Sequence, residues 1–261
     1  NKLGRYSDSI NEFDESMKHN VDKVDKVDKV DKELYNNYGY AHFRLGNYDK
    51  ALEAYNNAIN IDDKYIDAYM GKGAIFERQK EYQKAIIAYD NSITIYPGGA
   101  KFYNARGHAL SCLERYDEAV IAFEKAIDIN STYVEAYSGK ASAKAILKQY
   151  EEAVAAYNMV IKFDPKNEYA YYGKGEALEK LKRGIDAKRA YGNAIKINTR
   201  NALSYYNLSR IYSQEDISDT ALINLKKSIN IDKAIIQKAK TDKAFDTIRN
   251  KPEFKKLIRM K

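Results

Sequence analysis

The chain has 261 residues, 44% hydrophobic and 31% charged, with a formal net charge of +7, 24 Tyr, no Trp, 13 Gly, 3 Pro and one Cys. This is enough apolar material to bury a core, yet it nowhere collects into the ~18 consecutive apolar residues of a membrane-crossing helix, and a lone cysteine excludes an internal disulfide and a paired-cysteine metal motif. Few Pro and Gly favour a helical protein; no signal peptide is visible, so the compartment is not legible and the cytoplasm is the default expectation.

At the N-terminus, "LGRYSDSINEFDESM" carries Tyr6, Ser9, Ile10, Phe13, Ser16 and Met17 at the spacing of one helical face. The tract "VDKVDKVDKVDK", residues 21–32, follows. Its three-residue period matches neither helix nor strand, so its valines share no face. The pairs Asp22–Lys26, Asp25–Lys29 and Asp28–Lys32 nevertheless stand at i,i+4, each contributing a few tenths of a kcal/mol to a helix. Some loosely packed helix is expected in this tract, which reads as a simple-sequence expansion in a tolerant loop; an interaction arm is the alternative.

From Tyr35 onward a period of 34 governs the chain. Tyr35, Tyr69, Tyr103, Tyr137, Tyr171 and Tyr205 form one column, and Ala51, Ala85, Ala119, Ala153, Ala187 and Ala221 a second. Ile59, Ile93, Ile127, Ile161, Ile195 and Ile229 form a third, and the small residues Gly39, Gly73, Gly107, Ala141, Gly175 and Ser209 a fourth. Chance does not keep four columns in phase over six periods; a fixed period in this range means stacked units.

Each copy reads as two helices, the first over roughly 33–45 and the second over roughly 49–61 in copy one, with Gly46 and Asn47 at the turn. Ala51, Tyr55, Ala58 and Ile59 make a buried stripe on the second helix. Small Gly39 and Ala51 let the helices approach closely, and large Tyr55 fills the gap against the next copy. The N-terminal stretch then aligns with a second helix whose first helix is missing: Tyr6 and Tyr48 are 42 residues apart, one period plus the tract's extra 8. The chain is therefore expected to begin inside a repeat.

Tyr69, Lys72, Gly73, Phe76, Ala85, Tyr89 and Pro97 resemble the tetratricopeptide repeat (TPR) pattern of large residue, Leu-Gly, Tyr, Ala-x3-Phe and final Pro. Tyr replaces Trp throughout, the final Pro survives only at Pro97 and Pro165, and the column Tyr48, Tyr82, Tyr116, Tyr150 lapses to Gly184 and Ser218. The resemblance implies an all-α, right-handed superhelical solenoid. Its parts would be a partial repeat over 1–20, the insert 21–31, six repeats over 32–65, 66–99, 100–133, 134–167, 168–201 and 202–235, and a helical cap over 236–261. The last two repeats are expected to pack less tightly. In the cap, Ala239, Phe245, Ile248, Phe254 and Leu257 are expected to cover the last repeat, and Pro252 suits a first helical turn.

The family's concave face is lined by positions two, five, nine, twelve and thirteen of each copy. By that resemblance the partner-binding residues here are Asn36, Tyr40, Arg44, Met70, Arg78, Lys101, Asn104, His108, Ser138, Ser142, Tyr172, Glu176, Tyr206 and Arg210. Asn side chains suit a peptide's backbone amides, and tyrosines its apolar side chains. The family's grip on a chaperone's C-terminal carboxylate needs a set of Lys, Asn and Arg of which only Lys101 is present; Tyr40, Gly71 and Ala105 occupy other positions of that set. Such a tail is not an expected partner.

Two further features compete for a role. Lys72, Arg106, Lys140 and Lys174 form a basic column whose stems are expected to pack over apolar neighbours. Residues 226–261 hold 12 Lys/Arg and 4 Asp/Glu, a net of +8, so the chain's whole positive excess lies there. This tail reads as a solvated cap; nucleic acid or an anionic membrane is the less favoured reading, since no recognition motif accompanies it. His108 and Cys112 stand at i,i+4, but without an orienting third group they make neither a nucleophile nor a metal site. With no phosphate-binding or metalloprotease motif, the expectation is a non-catalytic interaction scaffold without cofactor or metal, its partner a protein or peptide. The alternative is the partner-selecting region of a larger enzyme or of an assembly or secretion complex.

Overall fold

The computed structural model describes Tyr6, Ile10, Asn11, Phe13, Glu15 and residues 31–259. Among these residues every regular element is helical. The chain divides into two compact units, Asn1–Gly139 and Lys140–Lys261, the division falling inside one helix.

Unit 1 contains α1 (Lys32–Arg44), α2 (Tyr48–Ile61), α3 (Ile66–Arg78), α4 (Tyr82–Ile95), α5 (Ala100–Cys112), α6 (Tyr116–Ile129) and the start of α7 (Val134–Ile146). Unit 2 contains the rest of α7, then α8 (Tyr150–Phe163), α9 (Glu168–Lys180), α10 (Gly184–Ile197), α11 (Ala202–Gln214) and α12 (Ser218–Ile231). First helices of a copy have 13 residues and second helices 14, so the sequence period is a period of structure.

The turn within each copy is a left-handed residue recurring every 34: Gly46 at φ 80°, then Lys80, Glu114, Lys148, Lys182 and Asp216 at φ 60–62°. It lets the next N–H return to the carbonyl five residues back, as Glu81 does to Phe76 (2.8 Å) and Arg183 to Leu178 (2.9 Å), closing the helix end. Only copy one has the glycine this conformation favours, so the other turns carry a strain of about 1 kcal/mol each.

Tyr55, Tyr89, Phe123, Tyr157 and Tyr191 repeat on the second helices and are buried. Each rests on small residues. In unit 1, Phe123 lies against Gly107 of its own copy and Gly139 of the next, and Tyr55 against Gly39 and Gly71. In unit 2, Gly173 meets Tyr157 and Gly175 meets Tyr191. A Cβ at any of these glycines would fall inside van der Waals contact of the ring.

Beyond α12 the period ends. α13 (Ile235–Thr241), a 3₁₀ turn (Lys243–Phe245) and α14 (Pro252–Leu257) bring Ala239, Phe245, Ile248, Phe254 and Leu257 into one cluster with Tyr206, Ala221, Leu225 and Ile229. Pro252 stands in the first turn of α14. At the other end, Tyr6, Ile10 and Phe13 are helical, and Phe13 is buried with its ring stacked 3.9 Å from Tyr38. The helix expected in the Val-Asp-Lys tract lies outside the described residues, as do Ser9, Ser16 and Met17; the tract's last aspartate, Asp31, caps α1 by accepting from the Glu33 N–H.

Candidate functional site

In unit 1 the face begins at α1. Arg44 donates to the Tyr40 hydroxyl (2.8 Å), and its guanidinium lies 5.1 Å from the Tyr6 ring centre and 5.7 Å from that of Tyr40. The cation is thus held between two aromatic faces, and Tyr40 stays exposed. Asn36 is half-buried, Arg78 is exposed, and Met70 packs against the cluster around Tyr89 and Phe123. Lys101 reaches Asp67 at 3.7 Å, but both side chains are 60% exposed, so the pair contributes little.

Asn104 and His108 stand one turn apart on α5. Asn104 is 9% exposed and hydrogen-bonds Tyr133, yet its Oδ1 accepts nothing among the described residues. A buried acceptor without a donor carries a desolvation cost that a ligand N–H would relieve. His108 is open to solvent, with its ring set edge-on to Phe123 at 5.2 Å. Enough protein surrounds the ring that desolvation lowers its pKa below 6.5, with Glu135 opposing that shift. NMR titration of the His108 imidazole is therefore expected to give a midpoint below 6.5, and Glu135→Gln to move it lower still; a midpoint above 6.5 would show that Glu135 outweighs the burial.

Cys112, the partner considered for His108, is exposed and free of disulfide, and its sulfur meets the Tyr82 hydroxyl. Among the described residues no group of three or more His, Cys, Asp or Glu is placed to hold a metal ion, and no helix is long and apolar enough to cross a membrane. Ser138, at the end of unit 1, is half-buried.

In unit 2 the face is largely tied up. Ser142 is exposed and bonds Tyr157. Tyr172 donates to Glu176 at 2.7 Å, one turn along α9. A continuous network then links α9, α10 and α11 with the cap: Tyr191 donates to Glu179 (3.1 Å), Arg210 donates to Glu179 (2.7 Å) and pairs through Nε with Asp242 (2.9 Å), and Tyr206 donates to Asp242 (2.7 Å). Asp242 also caps the 3₁₀ turn by accepting from the Ala244 N–H (2.9 Å). Tyr206 is only 7% exposed, edge-on to Phe245. The sequence reading placed Tyr206 and Arg210 on an open face; the cap's own segment meets them there, because it supplies the carboxylate and aromatic ring that a ligand would otherwise bring. Asp242 was missed, although an aspartate ahead of "KAF" is a readable capping signal.

By sequence, a TPR repeat model matches residues 39–80 and 142–182, and two tetratricopeptide repeat models match 62–100 and 100–133. No curated protein matches the chain. Among solved structures it is similar to YrrB, described as a TPR protein with an unusual peptide-binding site (20% identity, TM-score 0.62, covering 75% of this chain and 96% of that one). It is also similar to PilF of Pseudomonas aeruginosa (17%, 0.66, 82% and 94%) and to MamA of Desulfovibrio magneticus (20%, 0.62, 66% and 97%). At these identities the likeness is one of fold.

Proposed function

Because the chain belongs to the tetratricopeptide repeat family, whose fold is typically an interaction scaffold, we propose that it is a non-catalytic scaffold holding a peptide or partner protein along the face of its first helices. In unit 1 that face runs from Asn36, Tyr40 and Arg44 through Met70 and Arg78 to Lys101, Asn104, His108 and Ser138. Ser142, Tyr172 and Glu176 offer a smaller stretch in unit 2, where Tyr206 and Arg210 act by holding the cap. The observation that carries the reading is Asn104: a buried carbonyl oxygen without a donor, one turn from exposed His108, suits the N–H of an extended backbone. Exposed Tyr40 supplies area for an apolar side chain at little entropic cost. The similarity to YrrB, itself described by a peptide-binding site, is in keeping with this. The partner is not a chaperone's C-terminal carboxylate, since Lys101 stands without the rest of that grip and already faces Asp67.

The test is a set of peptides selected from a random library on the parent chain. Asn104→Ala should weaken them about five- to tenfold, the worth of one hydrogen bond to a buried group, with the loss of its bond to Tyr133 read separately as a change in melting temperature. Ile121→Ala, on the exposed side of α6, should bind as the parent does. Selected peptides indifferent to both Asn104→Ala and Tyr40→Ala would overturn the reading.

A further inference from the structure

Tyr172 and Glu176 flank Lys174, which lies about 200° round α9 from each of them, away from the proposed peptide face. There, between α8, α9 and α10, unit 2 holds a half-open cavity of about 350 Å³, within the range of small-ligand sites. The equivalent hollow beside Lys72 in unit 1 measures about 180 Å³.

The basic column explains what is particular here. Lys72 donates to Asn56 at 2.7 Å and Arg106 to Asp90 at 2.7 Å, each partner 16 residues earlier, and Lys140 is engaged as well. Lys174 has Asn158 at the same offset and in the same cavity, but makes no hydrogen bond or ion pair among the described residues. Asn158, Asn193 and Tyr171 line the cavity, and none of the three makes a side-chain hydrogen bond among those residues, although the matching Tyr69 and Tyr137 hydroxyls donate to backbone carbonyls. Arg183 and Arg189 complete the lining. Asp186 is shared between them, Oδ2 to Arg183 (2.9 Å) and Oδ1 to Arg189 (3.1 Å), while Glu151 stands 3.7 Å from Arg183. Three cations face two carboxylates that already pair with the arginines, which leaves the ammonium of Lys174 attracted to Asp186 only at longer range and without a direct partner of its own. Its pKa accordingly sits below that of an ordinary lysine: burial lowers it, Asp186 works against this, and the two guanidiniums add to it.

We propose that this cavity is an oxyanion site that takes a phosphoryl group, held by Lys174, Asn158, Asn193 and the Tyr171 hydroxyl with the arginines at its rim. A phosphate monoester, with three strong acceptor oxygens and about two charges, answers more of the unused donors of these four side chains, and more of the surplus positive charge, than a carboxylate with two oxygens and one charge. The group comes either from a small phosphate ester or from a phosphorylated side chain of a partner.

The experiment is an amide NMR titration of the full chain at constant ionic strength with inorganic phosphate, O-phosphoserine, an Ala-phosphoserine-Ala peptide and, as control, acetate. Saturable shifts are expected at residues 158, 174, 189 and 193 with the phosphates only. Lys174→Gln should weaken binding about tenfold, the loss of one charge-assisted contact, and Lys72→Gln should leave it unchanged. Asp186→Asn, which frees both guanidiniums, should tighten it several-fold and gives an independent readout should Lys174→Gln disturb the fold. A peptide bound more tightly than inorganic phosphate assigns the group to a partner's side chain; equal binding assigns it to a small ester. Shifts that do not saturate, acetate binding as well as phosphate, or a Lys174→Gln chain that titrates like the parent would each overturn the proposal.

Discussion

Phe123→Ala is expected to cost unit 1 about 3–5 kcal/mol, the upper range for truncating a buried aromatic ring. The reason lies in what surrounds the ring. Phe123 is fully buried, with Gly107 on one side and Gly139 on the other, so no neighbouring side chain on those sides can swing in to fill the void. The cost of a cavity grows with the volume that fails to collapse. Because the ring bridges two copies, its loss should weaken the contacts of α5 and α7 together. In urea titrations the midpoint should fall sharply, and hydrogen exchange should speed up in both helices at once. Ile121→Ala, two residues away but 65% exposed, should change stability by less than about 0.5 kcal/mol. Equal losses from the two variants would show that the ring is not a bridging element.

Asp242→Asn is expected to loosen the cap from unit 2 at a cost of roughly 1.5–3 kcal/mol, the worth of hydrogen bonds to a charged group. The carboxylate accepts from Tyr206 and pairs with Arg210, and both ions of that pair keep about a quarter of their surface, 25% for Arg210 and 22% for Asp242. With Glu179 still beside Arg210, the cost stays below that of breaking an isolated buried pair. The pH dependence has a definite sign. Burial raises the Asp242 pKa, but the Ala244 N–H, the Tyr206 hydroxyl and Arg210 outweigh it and leave the carboxyl below its usual 3.8. A carboxyl depressed in the folded state stabilises fully above its unfolded pKa and loses that contribution as pH falls through the folded value. The difference in melting temperature between parent and Asp242→Asn should therefore be constant near neutrality and close as pH drops below 3.8. A difference that persists at the lowest pH would assign the effect to amide packing, not charge.

The parts of this molecule most fully legible in its sequence are those that repeat. Tyr35, Gly39, Ala51 and Ile59 each recur in phase, and an error in judging any one residue is averaged away by five other copies. The second small column, Gly71, Ala105, Gly139 and Gly173, escaped because Asn37 and Asn207 stand in it at the first and last copies. The left-handed turn was legible at Gly46 alone; Lys80, Glu114, Lys148, Lys182 and Asp216 adopt it without a residue type that announces it. The grip of Asp242 on Tyr206 and Arg210 was invisible for a different reason. It joins a periodic helix to a segment that occurs once, 36 residues from Tyr206, and no pattern reports such a pairing. The position of Asn104 on its helix followed from register, but its unmet acceptor is a matter of three-dimensional burial that no spacing encodes.

The rings wedged between glycines of successive copies set a rule for how this chain can change length. Phe123 draws one of its two supports from its own copy and the other from the next, so the physical module runs from ring to ring and overlaps the copy marked out by the turns. Gaining or losing 34 residues, the spacing of the columns, within residues 66–167 leaves every remaining ring of that stretch with a Gly or Ala on each side, because Asn37 and Asn207, the exceptions in the second small column, lie outside it. A change of any other size within the copies would set a bulky side chain where a ring needs bare backbone. Within that stretch whole-copy duplication or deletion is thus tolerated with no accompanying substitution, whereas shorter slips are not.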